Sequence, residues 1–345
     1  MKAALIREHG GIGAVNVEDH PDPRPGAGEA VLEVRAAALN HLDLWVLRGG
    51  RSTGMPMPHV PGSDASGVIS ELGPGAQGFE IGQEVVLNPG FSCGRCEYCR
   101  RGEQSECAGF GIVGMSRPGT FAGRVAVPVG CLLPKPAHLG FEEAACLGIA
   151  YITAWRMLVS KARAVPGETA LIHGIGGGVA LAALQFCERL GVRAVVTSSS
   201  DEKLRRASEF GAAAGVNYRR EPDVAAAVRR RLGGRGADLS INSVGAPALA
   251  VDMAALRRGG RAVLCGVTAG AEGNIDLQPF YWNQLSLLGS TLGSAEDARQ
   301  MMRAADSFRL RPVVDSVHPL AEVRGALERM ERGEQFGKIV LKVDA

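Results

Sequence analysis

Cys93, Cys96, Cys99 and Cys107 fall in one fifteen-residue segment, CGRCEYCRRGEQSEC, with two, two and seven residues between successive cysteines. Thiolates at this spacing can fold around one tetrahedral Zn2+ ion. Four protein sulfurs fill that coordination sphere and leave no position for water or substrate. Such an ion would brace a loop and do no chemistry. Two disulfides are the competing reading. Against it, the apolar start of MKAALIREHG is broken by Arg7 and Glu8, too early for a secretory leader. Cys131, Cys146, Cys187 and Cys265 are scattered among Ala, Leu and Val, as buried thiols of a reducing compartment are. A cytoplasmic setting is therefore expected.

A second constellation is the run HGIGGGVALAALQF. Gly174, Gly176, Gly177 and Gly178 stand between a predicted strand and an amphipathic helix in which Val179, Ala182, Ala183 and Phe186 recur. Glycines at such a turn let backbone N–H groups and the helix N-terminus approach a pyrophosphate. The spacing is not a strict G-x-G-x-x-G, and its best register is Gly174, Gly177, Ala180. The next predicted strand ends VVTSSSDEKL. A carboxylate here would receive a free ribose 2′-hydroxyl. Instead Ser198 and Ser199 hold the place, Lys203 follows one turn later, and Tyr218 ends the third strand. Hydroxyls and an ammonium suit a phosphate, so the expected cofactor is NADP(H) rather than NAD(H). Ser199 also reads as a helix N-cap with Glu202 completing a capping box. Asp201 is the feature that points the other way.

The elements that must position these groups read as two kinds. With 345 residues the chain has room for about two domains, and 46% apolar and 21% charged residues are an ordinary globular balance. A net charge of +2 gives no reason to expect a nucleic-acid partner, and Arg229, Arg230 and Arg231 close an Ala/Val-rich helix as a solvated face. No apolar run approaches the ~18 residues of a membrane span. The first ~130 residues predict short strands broken by Gly and Pro, at Lys2–Ile6, Ala30–Ala37, Gly67–Leu72, Glu84–Leu87 and Gly123–Pro128. From Thr169 strands and helices alternate. Strands are predicted at Thr169–His173, Arg193–Ser198, Gly215–Tyr218, Ala237–Ile241, Arg261–Cys265 and Leu285–Gly289. Helices are predicted at Gly178–Leu190, Asp201–Phe210, Asp223–Leu232 and Pro247–Arg257. A helix over Leu320–Glu331 and a strand over Lys338–Val343 close the chain, and that strand could return to the first lobe. The expected fold is α/β: a Rossmann doubly wound parallel sheet plus a discontinuous β-rich domain. The expected divisions are residues 1–149, 150–291 and a returning 292–345.

With the cysteine loop, AAALNHLDLWVLRGG (Ala36–Gly50), HVPGSDASGVI (His59–Ile69), GTFAGRVAVP (Gly119–Pro128), TAW (Thr153–Trp155) and FGKIVL, the chain resembles the medium-chain dehydrogenase/reductase superfamily nearly end to end. The resemblance implies a GroES-like catalytic domain, a Rossmann domain, a cleft between them, and a homodimer or homotetramer often joined through the last Rossmann strand, here Leu285–Gly289. It also implies cofactor contacts at Thr153, at Gly266 and Val267, and at Lys338 near the pyrophosphate. The glycine turn with Val179 completes that set. Zinc-dependent alcohol dehydrogenases of this superfamily carry a second, catalytic zinc. At its three ligand positions this chain has Asn40, Ser63 (followed by Asp64 in place of Glu) and Ile149, none a good zinc ligand there. The quinone oxidoreductase-like branch, which works without that metal, is similar at the first two. His41, Asp43, His59 and Cys146 are the residues from which a displaced metal site would have to be built. Asn242 is a further departure, since the family often has Asp there.

Hydride transfer to a plain ketone builds an alkoxide that a Lewis acid stabilises, and losing about 4 kcal/mol of that costs roughly a thousandfold in rate. Quinones and α,β-unsaturated carbonyls spread the charge by conjugation and need the metal less. Polar donors can supply the remainder. Asn40, Ser63 and Tyr151 are the candidates, with Asp64 structural and Trp45 and Trp155 in the core. The expected activity is an NADPH-dependent quinone or enone reductase with one structural zinc. The alternatives are an alcohol, aldehyde or ketone oxidoreductase, and a non-enzymatic NADPH-binding sensor.

Overall fold

The computed structural model describes residues 1–49 and 55–343. Gly50, the end of the first marker segment, lies outside them. The chain forms two compact units, Met1–Ile152 with Gly293–Ala345, and Thr153–Leu292.

The unit Thr153–Leu292 is built on six parallel strands: Thr169–Ile172, Arg193–Ser198, Ala212–Asn217, Ala237–Asn242, Leu256–Leu264 and Ser286–Gly289. Their spatial order, counted along this unit, is 3-2-1-4-5-6. That is the doubly wound order whose chain reversal, between the first and fourth strands, opens a ligand crevice at the strands' carboxyl ends. The inner strands Thr169–Ile172 and Ala237–Asn242 are buried along their whole length, as strands covered on both faces are. The helix Gly178–Leu190 buries Ala180, Leu181, Ala182, Ala183, Leu184, Phe186 and Cys187. Its Phe186 ring meets Trp155 edge-on at 5.2 Å, so Trp155 is core. The predicted helix to Arg257 ends at Ala255, because Leu256 is buried and already pairs with Ala237 as a strand.

The other unit is a seven-stranded sheet around the ten-residue strand Glu29–Ala38. Asp64–Leu72, Arg124–Pro128 and Lys338–Lys342 all pair with it antiparallel. The domain is thus discontinuous, closed by its last strand. At one end of this strand Ala38 sits opposite both Asp64 and Val340, which brings three distant segments to one place. Several elements escape the sequence reading, two of them near the end of the chain. Val314–Pro319 pairs parallel with Lys338–Lys342. The helix Ala295–Ser307 starts at a capping box, in which Asp297 N donates to Ser294 Oγ (3.1 Å) and Ser294 N to Asp297 Oδ2 (2.8 Å).

Candidate functional site

The cysteine segment is closed at its base by two residue pairs, Gly90–Ile112 and Phe91–Gly111. Between them lie a four-residue helix, Glu97–Arg100, and a single 3-10 turn, Gln104–Glu106. The four Sγ atoms lie within 4.8 Å of one another. Neighbouring pairs are separated by 3.5 Å (Cys96–Cys99, Cys93–Cys107) and 3.9 Å (Cys93–Cys99). A tetrahedron with Zn–S of about 2.3 Å has edges of about 3.8 Å, whereas a disulfide needs about 2.05 Å. The donor set therefore fits a four-thiolate zinc. Backbone N–H groups of Arg95 and Cys96 stabilise the Cys93 thiolate and bring that thiol down to about 6. Gly109 N donates to Cys107 Sγ at 3.3 Å. Burial and its neighbouring thiols push Cys96 the other way, up to about 11.

Among the described residues this is the one grouping of three or more His, Cys, Asp or Glu close enough to hold a metal. His41, Asp43, His59 and Cys146 are not gathered into another. His59 Nε2 lies on Gly114 O (2.9 Å), and the Cys146 thiol donates to Glu142 O (3.2 Å).

Two of the three replaced ligand positions, Asn40 and Ile149, converge on one carboxylate. Asp64, fully buried, accepts from Asn40 Nδ2 (2.9 Å) and Lys338 Nζ (3.0 Å) at Oδ2, and from Ile149 N (2.6 Å) at Oδ1. Gly148 permits that last bond, since a Cβ there would fall 2.2 Å from Asp64 Oδ1. Lys338 also donates to Asn40 Oδ1 and Leu39 O, both at 2.6 Å. An ammonium has three donors, and all three are spent inside this unit. The expected contact of Lys338 with a pyrophosphate is therefore corrected: it is a buried ion-pair partner. Asn40 is corrected likewise, because its amide hydrogens go to Asp64 and Ala38 O (3.3 Å) and its oxygen to Lys338. It orients its neighbours and has no donor to spare.

Ser63 differs. It is fully buried and its hydroxyl has no hydrogen-bond partner among the described residues. Tyr151 is buried too, and its hydroxyl meets the Val313 backbone. Burial pushes its ionisation well above the usual phenol value. The phenol is held neutral in this packed position. Asp43, on the helix His41–Arg48, accepts from the Asn40 and Gly62 amides, yet burial raises its carboxyl to about 7.

In the other unit, Gly174 and Gly176 take φ of 70° and 110°, a left-handed turn that Cβ-bearing residues avoid. Gly177 caps the following helix with no side chain, so the first-turn amides at Gly178, Val179 and Ala180 have no side-chain cap. A bare helix start of this kind suits a pyrophosphate. At the second strand's end Ser200, not Ser199, is the N-cap, receiving Lys203 N at 3.3 Å. Ser198 Oγ accepts from Ser200 N (3.2 Å). Ser199 is thus relieved of the capping role. The Asp201 carboxylate is occupied by Asn217 Nδ2 (2.6 Å) and Arg220 (2.5 Å). Tyr218, half exposed, follows, its N–H on Ser198 O (3.0 Å). Gly266 and Val267 lie just beyond the fifth strand, and Thr153 is buried beside Ala154 in the short helix Ile152–Trp155.

Comparison with known proteins agrees with both halves. Residues 26–137 match the family described as alcohol dehydrogenase GroES-like domain, and residues 178–307 match zinc-binding dehydrogenase. An alcohol dehydrogenase of Geobacillus stearothermophilus is 30% identical over the whole of both chains. A human quinone oxidoreductase is 28% identical, covering 99% of this chain and 97% of that one. A crystal structure described as an NAD-dependent alcohol dehydrogenase superposes over 100% of both chains with a TM-score of 0.96 at 42% identity.

Proposed function

Because the chain belongs to the medium-chain dehydrogenase/reductase superfamily and is an oxidoreductase of that type, we propose that it uses NADPH to reduce a quinone or an α,β-unsaturated carbonyl, with one structural zinc and no catalytic one. The observation that carries this reading is the Asp64 hub. Asn40, Ser63 and Ile149 occupy the three ligand positions, and the first and third are spent on Asp64 with Lys338. The residues at hand do not fit a second zinc, so no step is routed through one.

Bound NADPH would supply the hydride. The turn Gly174–Gly178 with Val179 would hold its pyrophosphate, Thr153, Gly266 and Val267 would serve the nicotinamide end, and Ser199, Lys203 and Tyr218 would receive the 2′-phosphate. Of the three candidate donors, Ser63 is the one whose hydroxyl has no partner among the described residues, and it would be the group available to a carbonyl oxygen that takes up charge. Steady-state assays with NADPH against a quinone, an enone and a ketone, and with an alcohol plus NADP, test the reading. Rapid alcohol oxidation with two zincs per chain would sink it. The name of the 42%-identical structure favours the alternative of an alcohol or aldehyde oxidoreductase, which the same assays separate. NADPH binding without turnover on any acceptor would mark a sensor.

Cofactor choice has its own test. The pinned Asp201 carboxylate and the uncapped Ser199 support a phosphate at the second strand's end. In S199D/K203A the NADPH-to-NADH preference in kcat/KM should fall tenfold to about a hundredfold, the loss of one or two charge-assisted hydrogen bonds. An unchanged ratio would remove these residues from the 2′-phosphate site.

A second copy of this chain is the proposed partner. Ser286–Gly289 ends the sheet with an unpaired edge, and the helix before it exposes Leu277, Tyr281 and Trp282, each more than 60% accessible. Light scattering should give a dimer or tetramer, and W282K should shift it toward monomer. A monomeric parent protein would refute this. The free thiols support a reducing, cytoplasmic setting.

A further inference from the structure

Three buried side chains lie beneath the glycine turn and have no role in the reading above. His173, directly before Gly174, places Nε2 2.8 Å from Asp252 Oδ1 and Nδ1 3.2 Å from Thr197 Oγ1. Asn242, ending the fourth strand, donates Nδ2 to Asp252 Oδ2 (2.7 Å) and to Gly245 O (3.2 Å). Its Oδ1 accepts from Val244 N and Gly245 N, both at 2.9 Å. All four side chains are nine-tenths or more buried. Asp252 accepts at both oxygens, so the His173 proton sits on Nε2.

What Asn242 holds is a short loop, Ser243–Gly245, that touches the turn. A Cβ on Gly174 would lie 3.1 Å from Val244 Cγ2. On its other side the loop is fixed by Gly245, whose φ is 103° and whose added Cβ would strike Gly270 O at 2.4 Å. Ala269 N donates to Val244 O (2.9 Å) and Thr268 Oγ1 to Ser243 O (3.1 Å), which hold the loop's carbonyls, while Asn242 holds its amides. These strand ends flank the chain reversal at which a doubly wound sheet binds its ligand.

We propose that Asn242 is a positioning residue for the dinucleotide, setting the Val244 loop against the Gly174 turn through the His173–Asp252–Asn242 network. The inference rests on the dinucleotide reading above and deepens it. The identity of the side chain matters. An aspartate at 242 would keep the two loop amides satisfied but would face Asp252 oxygen to oxygen, and two carboxylates at that separation cannot both stay ionised. The loop would then follow whichever carboxylate moves.

The experiment compares the parent, N242D, D252N and the exchanged pair N242D/D252N, with NADPH and NADH titrated by fluorescence and KM and kcat measured. N242D should weaken both cofactors about tenfold, mostly in cofactor KM and less in kcat. In the exchanged pair, Asn at 252 can donate to Asp at 242 and still accept from His173, and only the 3.2 Å bond to Gly245 O stays unmade, so affinity should return to within about threefold of the parent. Recovery shows that the two side chains act as a pair, and the rise in cofactor KM with kcat nearly kept is what a merely structural role does not produce. If N242D alone does not fold, the exchanged pair still decides, since it must fold and bind like the parent. Unchanged binding in N242D, or an exchanged pair as weak as the single variants, overturns the inference and leaves the dinucleotide reading standing. A parent that binds neither cofactor overturns both.

Discussion

Replacing Lys338 by methionine should destabilise the unit that contains it by about 3–5 kcal/mol, the usual result of breaking a buried ion pair from one side. Leu39 O and Asn40 Oδ1 lose their donor, and Asp64 Oδ2 loses its counter-charge and keeps the Asn40 amide bond. Water does not reach Asp64 to replace the ammonium. The double variant D64N/K338M should recover part of the loss, because it removes the unpaired charge along with its partner. The pH dependence has a definite sign. Asp43 has a folded-state value of about 7 against an ordinary 3.8, with burial the main cause and Lys338 acting to lower it. Its raised value means that the folded chain keeps a proton which the unfolded chain has released. This contribution is full below 3.8 and is lost as pH rises toward 7. Without Lys338 the Asp43 carboxyl should rise further, so K338M should lose more stability at pH 8 than at pH 5. Urea unfolding at the two values measures this. A change under 1 kcal/mol at both would show that Lys338 is not the anchor its contacts describe.

The same lysine shows where the sequence stopped being informative. The alternation of strands and helices after Thr169 is a local signal, and the helix Gly178–Leu190 and the strand Arg193–Ser198 match their predicted bounds. The capping box at Ser294 was also local, and S-x-x-D ahead of a periodic run was the signal that could have found that helix. Lys338 was different. Its partners are about 270 to 300 residues away in the chain, and no property of FGKIVL tells a buried ammonium from one facing a phosphate. Only the pairing of Lys338–Lys342 with Glu29–Ala38 fixes the answer. Ser199 and Ser200 show a finer limit. In SSS any of three hydroxyls can cap the helix, and the one-residue choice rests on backbone torsions. Asn242 had no account in the sequence because its role exists only once Asp252 and His173 are beside it.

The largest effect belongs to the cysteine loop. The purified protein should hold about one zinc per chain, and C99S or C107S should lose it. A strong chelator should lower the melting temperature of the parent by about 10 °C, since several kcal/mol of site formation would be withdrawn and each kcal/mol is worth a few degrees. The reason is the poverty of the loop's other supports. It has two strand residues on each side, a one-turn helix and one 3-10 turn, and Cys99 and Cys107 are its buried ligands. No apolar core of its own offsets the ordering of its backbone. The consequence should reach beyond the loop, because Gln104 Oε1 accepts from Ala295 N (3.2 Å) at the start of the helix Ala295–Ser307. Losing the metal frees Gln104, and that helix loses a partner for one of its unpaired first-turn amides. A reductant separates this from the competing chemistry. The sulfurs, 3.5 to 3.9 Å apart, are unbonded and at ligand spacing, so a non-chelating phosphine should leave the melting temperature unchanged. A melting temperature that falls with reductant and ignores the chelator would replace the metal by disulfides.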